Sequence, residues 1–324
     1  MNIASFIITT LLLVISQSLY ADTDWKSVTF DNDLFRGSDN GYTNGLYYSW
    51  IDINPDEKNI WTNFLTKPFN FSLPNERSVV KTSGYTLGQT MITPSDITIE
   101  NPDQREVPYS GLLVLSNSSL YIYENYADYI GVSIGLVGPA SLAGDSQKSI
   151  HSTTGSTRPE GWDTQINNEV VFTIARKRSW KVWTSDNGNI QLLTTASVAA
   201  GTIQSHAKVS TMFMYGSNLG NSFASSLLSG SRASNPISTG GGWFVFHSIG
   251  GGYTANNIAL DGNTFENSRS VSYQHNSYSA MTGVAYSWLD WSFTLAFVDD
   301  NVITSNFNTD EATQYGTFTI GWIP

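Results

Sequence analysis

The sequence predicts an all-β protein, a transmembrane barrel of 12 antiparallel strands with a short helix in one extracellular loop. Three observations support this prediction. Apolar and polar residues alternate with a period of two along most of the chain, which is the pattern of strands with two different faces. The second face carries mainly Gly, Ser, Thr and Ala, which suit a narrow barrel lumen. Charged residues make up only 13% of the chain, whereas typical globular domains contain about 25%.

The N-terminus predicts export. Residues 4–16 form a short apolar stretch, and Ala21 offers a small residue for cleavage just before the acidic Asp22. This is the layout of a secretory signal, whereas a membrane-spanning helix needs about 20 apolar residues. We therefore predict a signal peptide at residues 1–21 and a single barrel domain at residues 22–324.

The strands follow from the alternation, taken in chain order. In one of them, Ile130, Val132 and Ile134 alternate with glycine and serine. An even number of antiparallel strands places both termini on the periplasmic side of an outer-membrane barrel. The predicted strands span residues 24–32, 42–52, 82–92, 110–121, 127–137, 164–175, 180–200, 207–216, 243–258, 276–288, 291–299 and 313–323.

The connections follow from the direction of the first strand, which we expect to run outward. The longest outer loop, residues 138–163, begins with Gly138-Pro139 and contains a predicted short helix. Residues 53–81 form a long connection on the periplasmic side, for which the sequence predicts no function. The predicted outer loops are residues 33–41, 93–109, 138–163, 201–206, 259–275 and 300–312.

Composition excludes several kinds of function. The chain contains no cysteine, which excludes a disulfide framework and thiol chemistry. Its net charge of −11 argues against nucleic acid as a partner, because phosphate binding needs clustered Lys and Arg. A net negative charge is compatible with binding a divalent cation.

Four histidines are candidates for a general base, the role that His most often fills near neutral pH. His247 lies within a predicted strand and is most simply a wall residue, while His206 and His275 fall at loop edges with no acidic partner nearby in sequence. His151 follows Gln147 by four residues, so on a helix both side chains project from one face. A solvated loop histidine is the alternative interpretation of this spacing.

Oxygen-bearing side chains cluster at the outer ends of the first two predicted strands. Asp31, Asn32 and Asp33 end the first strand, and the run from Asp39 to Gly45 opens the second. Carboxylate and amide oxygens are the ligands that a hard cation such as Ca²⁺ prefers. Turn chemistry is the alternative, since Asp, Asn and Gly also dominate tight turns. It is the weaker explanation for Asp31 to Asp33, which precede the turn.

Several motifs resemble those of the outer-membrane lipid A 3'-O-deacylases, the LpxR family. The similar blocks occur in order and cover most of the chain beyond the predicted signal peptide. They are Asp31-Asn32-Asp33-Leu34-Phe35 with Asp39 and Tyr42-Thr43-Asn44-Gly45; Gly88-Gln89 with Thr93-Pro94; Pro108-Tyr109-Ser110-Gly111; Gly138-Pro139-Ala140-Ser141-Leu142 with Gln147, His151, Gly161-Trp162-Asp163, Gln165 and Glu169; and Asn257 with Leu260-Asp261-Gly262-Asn263-Thr264-Phe265.

The resemblance implies a 12-stranded barrel that uses Ca²⁺ to remove the 3'-linked acyloxyacyl group from lipid A in the outer leaflet of the bacterial outer membrane. The active site would lie between the barrel wall and an outer-loop helix. His151 would be the base that activates water, and Gln147 and Thr43 would line the catalytic pocket. Asn32 and Asp33 would lie at the calcium site, with Asn32 also counted among the catalytic residues. The implied partner is lipopolysaccharide in the membrane, and we expect a monomer.

Three other classes of protein remain alternatives. A passive porin would have the same barrel but would not need the helix that carries Gln147 and His151. A serine-type outer-membrane phospholipase would use a serine near a histidine, which His151-Ser152-Thr153 offers. A surface adhesin would need longer exposed loops than this chain has.

Overall fold

The computed structural model describes residues 23–33, 42–55, 62–220, 222–228, 241–301 and 313–324. Within them, 12 antiparallel strands form a closed barrel in which neighbours in sequence are paired and the last strand pairs with the first. The predicted fold class and strand number are confirmed. The predicted signal peptide lies outside the described residues, and among those residues no helix is long and apolar enough to cross a membrane.

The strands vary from 8 to 16 residues in length. They are β1 (Trp25–Asn32), β2 (Tyr42–Ile53), β3 (Val80–Ile92), β4 (Ser110–Ile122), β5 (Tyr126–Val137), β6 (Glu169–Thr184), β7 (Ile190–Gly201), β8 (Gln204–Gly216), β9 (Gly242–Asn257), β10 (Asn276–Trp288), β11 (Trp291–Asp300) and β12 (Thr313–Trp322). The connections contain the helices α1 (Ala143–Thr154), α2 (Ser225–Leu228) and α3 (Ile258–Asp261).

Two predicted strands had wrong boundaries. The strand predicted at 164–175 is β6, Glu169–Thr184, and the one predicted at 180–200 is β7, Ile190–Gly201. The charged run at 176–178 fell between the two predicted strands, yet Arg176 and Arg178 both pair with the buried Asp128 on the neighbouring strand. The pairing keeps this run inside the sheet and moves the turn to residues 185–189.

A smaller correction concerns β8, which begins at Gln204 and not at 207. His206, which we expected at a loop edge, therefore lies inside a strand. Its Nε2 is 3.0 Å from the Ser197 hydroxyl on β7.

The register separates the two faces of the wall. Tyr47 pairs with Thr29 and Gly88, and this set points into the lumen, where Tyr47 and Gly88 line a cavity of about 300 Å³. Leu46 pairs with Phe30 and Gln89 on the opposite, outward face. Large apolar side chains exposed on the outward face form the apolar belt typical of a membrane barrel; they include Leu46, Phe172, Val198, Val209, Phe213, Val245, Ile249 and Val284.

Connecting segments occupy both ends of the lumen. At the periplasmic end, Phe223 and Leu227 of the β8–β9 connection are buried against lumen-facing residues that include Leu193, Met214 and Phe246. At the outer end, Ala259 and Leu260 of α3 pack with Ile92, Val107, Val298 and Tyr315. The cavity lies between these two apolar layers.

Two other segments lie against the outward face of the wall. The helix α1 contacts the outer ends of β3 and β4. At the periplasmic end of the same two strands, residues 62–73 lie across the wall and form hydrogen bonds to it. We call residues 62–73 the wall strap.

Candidate active site

The helix α1 rests on the outside of the barrel, not over the lumen. Gln89, on the outward face of β3, donates a hydrogen bond from Nε2 to the Ser141 carbonyl at 2.7 Å. Gly111 on β4 allows the close approach, because a Cβ there would lie 2.3 Å from both the Ala143 Cβ and the Ser141 Oγ. Any larger residue at position 111 would push α1 away from the wall.

The chain turns into and out of α1 through left-handed residues. Leu142 precedes the helix with φ 59°, and Gly155 ends it with φ 73° and donates its N–H to the His151 carbonyl. Gly138 opens the loop with φ 89°, and a Cβ there would meet the Asn167 carbonyl oxygen at 2.5 Å. The helix predicted within 138–163 is confirmed.

An aromatic pair lies under α1. The rings of Tyr109 and Trp162 are 5.1 Å apart between centroids, and both pack with Met91 and Ala143. Trp162 is 1% exposed. Burial raises the pKa of Tyr109 to about 12, so its hydroxyl stays protonated and donates to the Ile97 carbonyl.

Trp162 fixes the orientation of Gln147. Its indole Nε1 lies 2.6 Å from the Gln147 Oε1, and an indole nitrogen can only donate. The amide oxygen of Gln147 must therefore face Trp162, and its Nε2 faces the other way. Gln147 is 2% exposed, and its buried Nε2 has no hydrogen-bond partner among the residues that the structure describes. Such an orphaned donor in a native structure calls for an explanation.

His151 lies one helical turn beyond Gln147 and is half-buried. Its Nδ1 is hydrogen-bonded to the Thr157 carbonyl, and since a carbonyl can only accept, Nδ1 must carry the proton. In the neutral ring, Nε2 then holds the lone pair. This is the arrangement that a general base needs, because the hydrogen bond fixes both the tautomer and the ring orientation.

The other three histidines belong to a different part of the barrel. His247 lies on the outward face of β9 with its Nδ1 2.8 Å from the Thr282 hydroxyl. His206 lines the lumenal cavity, and His275 precedes β10 and donates from Nδ1 to the Thr254 carbonyl. All three lie on or beside β8 to β10, whereas α1 contacts β3 and β4.

The register brings Asn32 to the same side of the wall as α1. Asn32 pairs with Asn44, and Asn44 with Met91, all on the outward face. Met91 belongs to the buried cluster that also contains Ala143 and Trp162. Since paired strands lie about 4.8 Å apart, Asn32 is two strands, or about 10 Å, from the Met91 position at the base of the helix.

Asp31 and Asn32 point to opposite faces of the wall. Asp31 is fully buried on the lumen face, paired with Gly45 and Thr317, whereas Asn32 faces outward. Asp33 follows the strand and is 2% exposed. The structure thus separates Asp31 from the outward-facing pair formed by Asn32 and Asn44.

The oxygen donors of Asn32, Asp33 and Asn44 are of the types that a hard cation binds. One buried carboxylate, from Asp33, lies next in sequence to Asn32, whose partner on the neighbouring strand is Asn44. All three can offer oxygen, and Ca²⁺ accepts carboxylate and amide oxygens while filling the rest of its shell with water or substrate. Within the described ranges there is no cluster of three or more His, Cys, Asp or Glu that could hold a metal. Asp39 and Asn40 lie outside those ranges.

Thr43 stands at an irregularity in β2. The pairing with β3 is shifted between Tyr42 and Asn44, so the backbone bulges at Thr43. Bulges re-aim side chains and are frequent beside active sites. The side chain of Thr43 lies outside the described part of the chain.

Two of the family-like blocks serve to hold the outer loops together. Glu169 accepts the backbone N–H of Thr264 at 2.8 Å and the Asn263 side chain at 3.3 Å. Asn263 in turn accepts the Asn167 N–H at 2.8 Å. These bonds fix the loop after α3 to the end of the loop that carries α1.

Several residues of the site had no predicted role. Trp162 and Asn44 stood within the motifs, and Thr157 contributes only a backbone carbonyl, which no side-chain pattern can reveal. For Trp162 a signal did exist, since a buried indole N–H normally finds an acceptor. The identity of that acceptor required the structure.

Comparisons with known proteins by sequence and by structure both point to one family. The family described as "Outer membrane protein LpxR" matches residues 3–323, while a comparison with curated proteins found no match. LpxR from Salmonella typhimurium is a similar solved structure, with 15% sequence identity and a TM-score of 0.75 over 93% of this chain and 100% of that one. The translocator domain of the autotransporter NalP from Neisseria meningitidis is less similar, with 7% identity and a TM-score of 0.41 over 98% and 95% of the two chains.

Proposed function

The chain belongs to the LpxR family of outer membrane proteins, and on that premise we propose that it is a calcium-dependent lipid A 3'-O-deacylase. The observation that carries the proposal is the position of Gln147 and His151 on a helix outside the wall. Groups on the outward face meet lipid, whereas groups in the lumen would meet solutes. A lipid anchored in the outer leaflet could reach them laterally without leaving the bilayer.

The proposed reaction is hydrolysis of an ester. Nε2 of His151 takes a proton from water, and the hydroxide formed attacks the ester carbonyl carbon. The tetrahedral intermediate collapses, the bond between that carbon and the 3'-oxygen of the sugar breaks, and the proton passes to the leaving oxygen. A positioned base of this kind contributes about 10²–10⁴-fold to the rate.

Gln147 is the proposed donor to the reacting carbonyl. Its Nε2 is buried, points away from Trp162 and has no acceptor among the described residues. A pre-oriented N–H donor stabilises the negative charge that develops on the carbonyl oxygen in the transition state. Trp162 is then a positioning residue, because it holds the amide in the productive orientation. Thr43 is proposed to line the same pocket from β2.

Asn32 and Asp33, with Asn44 beside them, are the proposed ligands of Ca²⁺. When bound, the ion would supply Lewis-acid stabilisation of negative charge on the substrate. The protein residues would contribute the oxygen donors. The β1–β2 register holds Asn32 and Asn44 on the outward face, and Asp33 follows at the end of β1.

The structure offers less support for the serine and porin alternatives. Ser152 donates its hydroxyl to the Ser149 carbonyl at 2.8 Å, and adjacent residues on a helix point about 100° apart. This disfavours a Ser152–His151 pair. A porin needs an open lumen, whereas described segments with Phe223 and Leu260 occupy its two ends.

Mass spectrometry of lipid A tests the proposal. Cells that express the protein should show lipid A that has lost the mass of the 3'-acyloxyacyl group, and cells with His151→Ala should not. Unmodified lipid A in the presence of folded wild-type protein, together with solute flux through it in liposomes, would favour a porin.

A further inference from the structure

The wall strap covers polar residues on a face that elsewhere meets lipid. Asn117, on the outward face of β4, is fully buried. Its Oδ1 accepts the backbone N–H of Leu65 at 3.2 Å and of Thr66 at 3.3 Å. Its Nδ2 donates to the carbonyls of Thr62 at 3.0 Å and Gly84 at 2.9 Å. The strap thereby satisfies an amide that could not face hydrocarbon.

Two wall serines are covered in the same way. Ser83 and Ser119 pair across β3 and β4, and their hydroxyls are 2.8 Å apart. Ser119 is 2.7 Å from the Thr66 hydroxyl, and Ser83 donates to the Thr62 carbonyl at 2.9 Å. Without the strap, this patch of the outer wall would present hydroxyl and amide groups to the membrane.

The strap then continues around the barrel to β6. The Tyr121 hydroxyl donates to the Asn70 side chain at 3.2 Å, and Arg176 donates from Nε to the Ser72 hydroxyl at 3.2 Å. Phe69 and Leu73 turn inward and pack on Tyr121, Tyr123, Tyr126 and Ile130. The strap is therefore fixed along its length and cannot be treated as a loose loop.

Its other side carries an aromatic ring turned away from the protein. Phe71 is 84% exposed. The strap lies on the wall where the apolar belt of the barrel would otherwise continue, and this ring replaces part of the apolar surface that Ser83, Asn117 and Ser119 lack. Lys67 is exposed on the same segment.

We propose that the wall strap is a lipid-binding element of the periplasmic leaflet. Phe71 inserts among the acyl chains of the phospholipids there, and Lys67 lies at their phosphate groups. Aromatic rings and snorkelling cations are the side chains that favour this interfacial zone.

Charged and aromatic side chains border the strap. Arg176 and Arg178 each lie 2.7 Å from the Asp128 carboxylate, and Glu76 is close enough to act on the charge of Arg178, so the charges of this group balance. Arg178 also lies over the Tyr126 ring at 4.7 Å. Lys67, on the strap itself, is therefore the cation proposed to meet phospholipid headgroups.

The absence of cysteine from the chain makes the proposal testable with single labels. Phe71→Cys, labelled with an environment-sensitive fluorophore and folded into phosphatidylethanolamine–phosphatidylglycerol vesicles, should show blue-shifted emission. Acyl-chain nitroxide lipids should quench it, and aqueous iodide should not. Lys67→Cys should report a shallower, headgroup-level position.

Two further labelled variants show how the fluorophore behaves in lipid and in water. Val209→Cys labels the exposed apolar belt, where the side chain is 55% exposed, and Asp186→Cys labels the exposed periplasmic turn between β6 and β7. The proposal holds if the Phe71→Cys label behaves like the Val209→Cys label. It is overturned if the label on a heat-modifiable, folded barrel is quenched by iodide as strongly as the Asp186→Cys label.

Discussion

The helix α1 and the wall strap occupy opposite ends of the same two strands, and both cover the outward face. Each buries one side-chain amide. In the strap region, Asn117 has both its oxygen and its nitrogen bonded. Under α1, Gln147 has its oxygen bonded to Trp162, but its nitrogen has no partner among the described residues.

The difference separates a structural contact from a candidate site. A buried polar group left unsatisfied costs about 1–3 kcal/mol, so a contact that serves only stability is expected to be saturated, as at Asn117. An unsatisfied donor on a helix that lies against the outward face of the wall is better explained by a ligand that supplies the acceptor. The ester carbonyl of a lipid is such an acceptor.

Calcium removal should have the largest effect on the α1 side. Chelation should abolish hydrolysis, and Asp33→Ala should do the same, because the buried carboxylate is the only charged oxygen donor in the proposed set. Binding can be measured apart from activity: Ca²⁺ should raise the thermal unfolding midpoint of the wild type and not that of Asp33→Ala. Full hydrolysis in excess chelator would refute the metal role.

Loss of the proposed base, His151, should have the second-largest effect on hydrolysis. His151→Ala should reduce deacylation by about 10²–10⁴-fold while the barrel stays folded, because the side chain lies on a loop helix and takes no part in barrel closure. Rates on purified lipid A, with gel heat-modifiability as the folding check, measure this. Near-normal activity in the variant would show that His151 is not the base.

Two neighbouring variants serve as controls for His151. His247→Ala should leave the rate almost unchanged, since that ring lies on β9 away from α1. Ser152→Ala should also stay active, because its hydroxyl is bonded to the helix backbone. If Ser152→Ala is as inactive as His151→Ala, a covalent serine mechanism replaces water attack.

The amide of Gln147 should contribute less than the base. Gln147→Ala should lower kcat by about 10²-fold, the scale of one oxyanion donor, and Trp162→Phe by less. If Trp162 acts through Gln147, Trp162→Phe should have no further effect on kcat in the Gln147→Ala background, which a double-mutant cycle measures. Additive effects would mean that Trp162 acts by packing alone.

A substitution under the wall strap should lower stability and leave activity unchanged, the opposite of the effect expected at α1. Asn117→Ala should destabilise the barrel by about 1–3 kcal/mol, because it leaves buried backbone groups of the strap unsatisfied, and kcat should not change. Denaturant unfolding in vesicles and the rate on lipid A measure the two quantities. A loss of kcat without a loss of stability would remove the distinction between the two regions.

The strand pattern, the helix within 138–163 and the grouping of Gln147 with His151 followed from sequence alone. Alternation encodes two faces because side chains on a strand point to opposite sides in turn. The spacing of four encodes one helix face. The signal peptide at 1–21 stays a prediction, as do the use of Ca²⁺ and the roles of His151, Gln147, Asn32, Asp33 and Thr43.

Only the tertiary structure decided what each face meets. Asn117, Ser83 and Ser119 are polar, yet they point away from the lumen and are buried by the wall strap. The orientation of the Gln147 amide depends on Trp162, 15 positions away. These contacts join residues that local periodicity does not relate, and a hydrogen bond forms only where folding brings donor and acceptor within about 3 Å.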